Sequence, residues 1–221
     1  MRYFFLTDGN DTRDPHMVQE FPGITPVLAP KGSKHLSMSH GFSTILDLAC
    51  RQREFEPFVI LENDVKKTDN FTENLKVPSD ADLVYIGITA WGLENKDVQS
   101  GNRILYLENY DENFVRIHNM VSMHGIMICS IRGLLAYQRA MVESFFRNIP
   151  TDIPMAHMQP FLNVYACRRP MVYQWASIGG EEQATHIELV DTVNNPITTE
   201  NTNPNHFTTR IFSLLRQTPE N

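Results

Sequence analysis

Three cysteines in 221 residues, widely separated and without CxxC or Cys/His spacing, exclude a disulfide framework and a structural zinc site. Cys50, Cys129 and Cys167 sit instead among apolar or helical residues, the setting of buried free thiols in a reducing compartment, so a cytoplasmic location is expected. Basic residues cluster no further than the pairs Lys66-Lys67 and Arg168-Arg169. With a formal net charge of −7 and a pI near 5.6, the chain lacks the basic face that nucleic-acid binding needs. Long apolar runs are missing as well. The opening run Tyr3-Phe4-Phe5-Leu6 is far too short for a signal peptide or a membrane span, and reads as a first strand. Glycine-rich phosphate loops are absent, with no GxGxxG and no GxxxxGKS or GxxxxGKT. A nucleotide bound here must be held through a metal and side chains.

What is present suits a proper core: 42% hydrophobic residues and 10% aromatics, enough for one large domain over 1–190. A polar Asn/Thr/Pro-rich tail follows over 191–221, with a possible terminal helix at Phe207 to Leu215. The most telling stretch is Phe58-Val59-Ile60-Leu61-Glu62-Asn63-Asp64-Val65. A continuous apolar run rich in Val and Ile reads as a strand buried on both faces. It ends in two carboxylates, Glu62 and Asp64, which a buried strand does not tolerate without compensation. A divalent cation supplies it: hard oxygen ligands suit Mg²⁺ or Mn²⁺, and Mg²⁺ sites commonly combine one or two carboxylates with substrate phosphates. The carboxyl end of a sheet strand is also where α/β proteins place ligands. The bland alternative is a strand that ends in a solvated acidic turn, with Asn63 and Asp64 as ordinary turn residues.

Along the chain, Tyr3–Thr7 forms a strand that stops at the turn signal Asp8-Gly9-Asn10-Asp11. Pro15 to Ser33 holds four prolines and predicts loop, a short helix near His16 to Phe21 and a short strand near Pro26 to Ala29. Ser39 is placed to cap a helix running to about Arg53. Leu83 to Ile88 is a second buried strand, and Ile104–Leu107 and Phe114–Ile117 make a hairpin around Asn109-Tyr110-Asp111-Glu112. Ile126–Cys129 is a further strand, Ser130 caps a helix ending near Asn148, and Asp152 or Thr151 caps the next. Asn163–Cys167 and Val172–Gln174 are extended. This alternation predicts an α/β fold: a three-layer α/β/α sandwich with a mostly parallel central sheet and an antiparallel hairpin insert.

Ordered blocks along the chain carry a resemblance. Ser39-His40 opens a helix ahead of Ile60-Leu61-Glu62-Asn63-Asp64, and Asp82-Leu83-Val84-Tyr85-Ile86-Gly87 follows. Gly125-Ile126-Met127-Ile128-Cys129-Ser130 comes next, then Pro150-Thr151-Asp152 and Pro170-Met171-Val172-Tyr173-Gln174. Together they resemble glycosyltransferase family 25, the lipooligosaccharide and collagen galactosyltransferases, over residues 3–178. The family has an acid where Asn63 stands, and its Arg-rich stretch after the first strand is reduced here to Arg13. The resemblance implies a GT-A fold and metal-dependent transfer of a sugar from a nucleotide diphosphate sugar, most often UDP-linked, to a glycan or glycoconjugate.

On that reading Asp64 is the direct metal ligand, with Glu62 as second ligand or as a partner through water or ribose. Thr7, Asp8 and Arg13, at the end of the first strand, receive the nucleotide; Arg13 either pairs with a phosphate or is a surface arginine. Asp152 is the candidate base for the acceptor hydroxyl, or a plain helix cap. His186 is a candidate third metal ligand, and His157 a core or surface histidine. His40 packs or hydrogen-bonds beneath the donor site. Trp91 is a sugar-stacking platform or a core residue, and Met120, Met123, Met127 and Met141 are core filling. Two other function classes stay open: a non-catalytic nucleotide-sugar or carbohydrate-binding domain on the same fold, motivated by Asn63, and a phosphoryl-transfer enzyme or nuclease, which needs more clustered acids than the chain has.

Overall fold

The computed structural model describes residues 1–9, 13–30, 34–51, 54–88, 105–174 and 211–213. The elements in chain order are β1 (Arg2–Thr7), α1 (Asp14–Glu20), β2 (Thr25–Leu28), α2 (Lys34–Cys50), β3 (Phe58–Leu61) and β4 (Val65–Lys67). Then come β5 (Leu83–Tyr85), β6 (Leu105–Asn109), β7 (Phe114–Ile117), β8 (Gly125–Ile128), α3 (Ile131–Arg147) and α4 (Asp152–Met158). A 3₁₀ turn (Gln159–Phe161), β9 (Val164–Cys167), β10 (Val172–Gln174) and β11 (Ile211–Ser213) complete the set.

Among the described residues the main sheet runs β11-β6-β7-β9-β5-β8-β3-β1-β2, and β10 and β4 form a separate two-stranded ribbon. β1 pairs in parallel with β2 and β3, β5 with β9, and β6 with β11. β8 lies antiparallel between β3 and β5, and β7 antiparallel between β9 and β6. All strands of the main sheet except β7 and β8 therefore point the same way, so the expected mostly parallel sheet with an antiparallel hairpin, β6–β7, is present.

Strand β3 shows why the central run reads as it does. Phe58 and Ile60 point into the core layer that α2, α3 and α4 cover, where Phe42, Ile45, Tyr137, Met141 and Met155 meet them. Val59 and Leu61 point to the opposite face, against Met17 and Phe21 of the α1 region and Val172 of the ribbon. A strand with helices on one side and α1 plus the ribbon on the other has no wet face, so alternation disappears from its sequence. The second outer layer is thinner than a standard α/β/α sandwich suggests, since one seven-residue helix shares it with the β4–β10 ribbon. The four core methionines are all buried.

Local chemistry sets the element ends. Ser130 caps α3 as expected: the Gly133 N–H donates to Ser130 Oγ at 3.0 Å. Asn148 ends that helix in the left-handed conformation, φ 50°. Two expectations are corrected. Helix α2 starts at Lys34, a turn earlier than the Ser39 cap implies, and Ser39 lies inside it, donating to Ser144 Oγ of α3 at 2.9 Å. An inward serine that joins two helices looks, in sequence, like a serine that starts one. Within the possible terminal helix, Ile211–Ser213 are instead a strand beside β6. A β-branched and an aromatic residue suit a strand once a neighbouring edge offers hydrogen bonds. No helix among the described residues is long and apolar enough to cross a membrane.

Candidate functional site

The carboxyl ends of β1, β3 and β5 share one edge of the sheet, because these strands run the same way. Just past β3, Glu62, Asn63 and Asp64 lead into β4, which lies outside the main sheet and pairs with β10. The register sets Gln174 opposite Val65, next to the acids. There the Gln174 amide Nε2 donates to Glu62 Oε2 at 3.0 Å and to Asp64 Oδ2 at 3.1 Å. Asp64 is 7% exposed, so the turn is not simply solvated.

Arg13 completes this group, its Nη1 standing 3.5 Å from Asp64 Oδ2. It arrives there because α1 lies against the ribbon: His16 Nε2 is 3.3 Å from the Val65 carbonyl, and the Lys67 N–H donates to Glu20 Oε1 at 2.9 Å. Thr7 is buried and serves the same docking. Its hydroxyl contacts Asp14 Oδ2 in the first turn of α1 and accepts from the Gly9 N–H at 2.8 Å. Asp8 is exposed on the turn beside it, where Gly9 takes φ 77°.

A layer of buried polar side chains lies alongside, on the α3 face of the sheet. The Tyr85 hydroxyl accepts from Gln159 Nε2 at 2.9 Å, and Gln159 also holds both polar groups of the Met120 backbone. Tyr137 packs nearby with its hydroxyl buried and without a hydrogen-bond partner among the described residues. Burial raises both phenols, and a nearby carboxylate adds to it: Asp152 for Tyr85, and Glu62 for Tyr137. Both stay neutral across the physiological range. Asp152 is thus on the tyrosine side of the site, in the first turn of α4 and not at its cap position, which is Thr151.

His124 is a functional candidate that the sequence reading missed. Its carbonyl accepts from the Glu62 N–H at 3.3 Å, and its Nδ1 is hydrogen-bonded with Ser122 Oγ at 2.8 Å. Burial pushes its imidazole down to about 4, so it is neutral at physiological pH. The ring occupies the space where residue 87 would carry a Cβ, which would fall 2.3 Å from the imidazole. That explains Gly87 at the end of the Asp82–Gly87 block. The only signal in the sequence is the adjacent Gly125, too common to act on.

Of the predicted site residues, the structure brings together Arg13, Glu62 and Asp64, with Thr7 and Asp8 on the neighbouring strand end. Asp152 lies on the far side of the two tyrosines, close enough to Tyr85 for its charge to raise that phenol. His186 and Trp91 lie outside the described residues. His157 is partly buried in the last turn of α4. His40 is exposed on α2 and does not pack beneath the site, because the preceding Ser39 is the residue turned inward, onto Ser144. Cys129 and Cys167 are free thiols, and burial pushes both up to about 12.

No group of three or more His, Cys, Asp or Glu able to hold a metal occurs among the described residues. The donor set still suits a hard cation. Two carboxylates from one turn converge on a single amide nitrogen, and Mg²⁺ or Mn²⁺ can take one or two carboxylates and fill its shell with phosphate and water.

Neither a family model nor a curated protein sequence matches the chain. Among solved structures, A197 from STIV is similar at TM-score 0.38 and 12% identity, over 75% of this chain and 81% of that one. The CTP:phosphocholine cytidylyltransferase LicC from Streptococcus pneumoniae is similar at TM-score 0.44 and 7% identity, over 80% of this chain and 74% of that one. Likenesses this distant say nothing of what this chain does.

Proposed function

We propose that this protein is a divalent-cation-dependent glycosyltransferase that moves a sugar from a nucleotide diphosphate sugar, UDP-linked by preference, to a hydroxyl of a glycan or glycoconjugate. The observation that carries the reading is the bridge from Gln174 to Glu62 and Asp64. It joins, in space, two of the sequence blocks on which the likeness to glycosyltransferase family 25 rests.

Glu62 and Asp64 are the residues that would hold Mn²⁺ or Mg²⁺, which when bound offsets the negative charge building on a leaving diphosphate. Arg13 exchanges its contact with Asp64 for phosphate oxygens, a partner its planar guanidinium suits well. Gln174 holds both carboxylates in alignment in the meantime, limiting the cost of two acids side by side. Asp152 takes the proton from the acceptor hydroxyl in an inverting reaction. Tyr85 and Tyr137, neutral and buried, keep water out of the wall between the base and the acids.

The test is a thermal-shift panel of UDP, GDP, CDP and their sugars, each with Mn²⁺ and with EDTA. Ligand at a hundredfold excess over its dissociation constant stabilises the native state by about 2.7 kcal/mol. A shift with one nucleotide that vanishes in EDTA and in Asp64→Asn supports the reading. No shift with any nucleotide sinks it.

A further inference from the structure

Helix α3 is buried along one face by Ala136, Tyr137, Ala140 and Met141, yet its opposite face is apolar too. Ile131, Leu135, Val142, Phe145 and Phe146, together with Phe161 of the 3₁₀ turn, are 43% to 80% exposed. Phe161 is held beside the first turn of α3 by Arg132, whose guanidinium donates to its carbonyl. At ~200 Å² per large side chain, these six expose roughly 700 Å² of apolar surface. That exceeds the patch a monomer usually shows and approaches the ~800 Å² per partner of a standard interface.

The exposed area, close to what each subunit of a standard dimer buries, points to a second copy as its cover, and the spacing along the helix permits it. Ile131, Leu135 and Gln138 are separated by intervals of four and three; Arg139, Val142 and Phe146 repeat these in reverse, three and then four. Every helix face repeats in this way, so the helix can pack antiparallel on its own copy across a two-fold axis, where an isologous contact sets each residue against its mirror position. With the axis midway between Gln138 and Arg139, Ile131 meets the partner's Phe146 and Leu135 meets the partner's Val142. The polar centre is complementary as well: the Gln138 carbonyl accepts from the guanidinium of the partner's Arg139.

We propose that this protein forms a two-fold dimer through the exposed face of α3, packed antiparallel on the same helix of a second copy. The interface lies on the helical side of the sheet, away from the β4–β10 ribbon that carries Asp64 and Gln174.

Sedimentation equilibrium of the full chain tests it. The expected result is a dimer at micromolar concentration, with a dissociation constant raised about 100-fold or more in Leu135→Glu, because the two-fold axis counts the change twice. Leu135 is exposed, so an unchanged circular dichroism spectrum is expected of that variant. Cysteine cross-linking, read against the background of the unmodified protein, tests the geometry separately. Gln138→Cys, beside the axis, should oxidise to a covalent dimer. Ile131→Cys should not, since the two copies of that residue stand about 22 Å apart along the helices at 1.5 Å rise per residue. A monomer at every concentration, a dimer indifferent to Leu135→Glu, or equal cross-linking at both positions would overturn the proposal.

Discussion

Asp82 and Asp64 are both buried aspartates, each just outside a strand of the main sheet, and they are treated in opposite ways. Asp82 precedes β5 and is 4% exposed. Ser130 Oγ donates to it at 2.6 Å, the Asn163 N–H at 2.9 Å, and Arg132 pairs with it at 3.4 Å. Its backbone is committed too, since its carbonyl accepts from the Cys129 N–H at 3.0 Å and lies 2.2 Å from where a Cβ on Gly133 would be. Two of these partners, a helix cap and a backbone amide, cannot move unless the fold moves. Asp64 follows β3 at the other end of the sheet. Its described partners, Arg13 and Gln174, are long side chains on separate elements, able to change rotamer. Equal burial therefore separates an acid held by a helix cap and a backbone amide from an acid whose two named contacts are mobile side chains; under the proposed function these are the contacts a ligand would replace.

The comparison can be broken by substitution. The largest loss of stability is expected for Asp82→Ala, which leaves a cap hydroxyl and a buried amide unsatisfied: about 3 kcal/mol, read from urea unfolding. If Asp82→Ala costs no more than Asp64→Ala, the distinction fails.

A pH series sharpens it at the site end. His124 holds a proton less readily folded, at about 4, than unfolded, at 6.5. The unfolded state therefore takes the proton first. His124 contributes stability fully above the ordinary histidine range, and that contribution falls away as pH drops from about 6.5 towards 4, by up to about 3 kcal/mol. His124→Gln should flatten this part of the profile; an unchanged slope would place the titration elsewhere. Gly133→Ala, forced against the Asp82 carbonyl, should cost about 2 kcal/mol in the same assay.

Asp64→Asn should change folding stability by less than about 1 kcal/mol, since Gln174 and Arg13 can turn to solvent. It should nevertheless abolish any Mn²⁺-dependent thermal shift with a nucleotide. Gln174→Ala is expected to have the smallest effect: weaker cation binding with the same unfolding midpoint within about 0.5 kcal/mol.

How much of this was readable in the chain depends on how local each cause is. The β6–β7 hairpin and the Ser130 cap rest on neighbours a few residues away, and the two-sided burial of Phe58–Leu61, though made by distant elements, leaves its mark in the run itself as lost alternation. The meeting of Glu62 and Asp64 with Gln174 was legible only as separate blocks; nothing local says that β4 leaves the sheet to pair with β10. Ser39 was misread because a hydroxyl that caps and a hydroxyl that crosses to another helix look alike until Ser144 is in place. Asp82 marked a strand start, yet its partners lie 48 and 81 residues away. His124 has only the adjacent Gly125 to mark it, since what distinguishes it is enclosure by Gly87 and Glu62, which comes from the assembled sheet.

The Gln174 bridge also has a consequence for biosynthesis. It closes contacts across 110 and 112 residues, so the acids at 62 and 64 are synthesised long before the group that aligns them. A nascent chain stopped anywhere short of β10 carries both carboxylates but not their clamp. The acidic turn thus gains its finished geometry only after every strand from β1 to β9 has been made, late in the synthesis of the sheet that frames it.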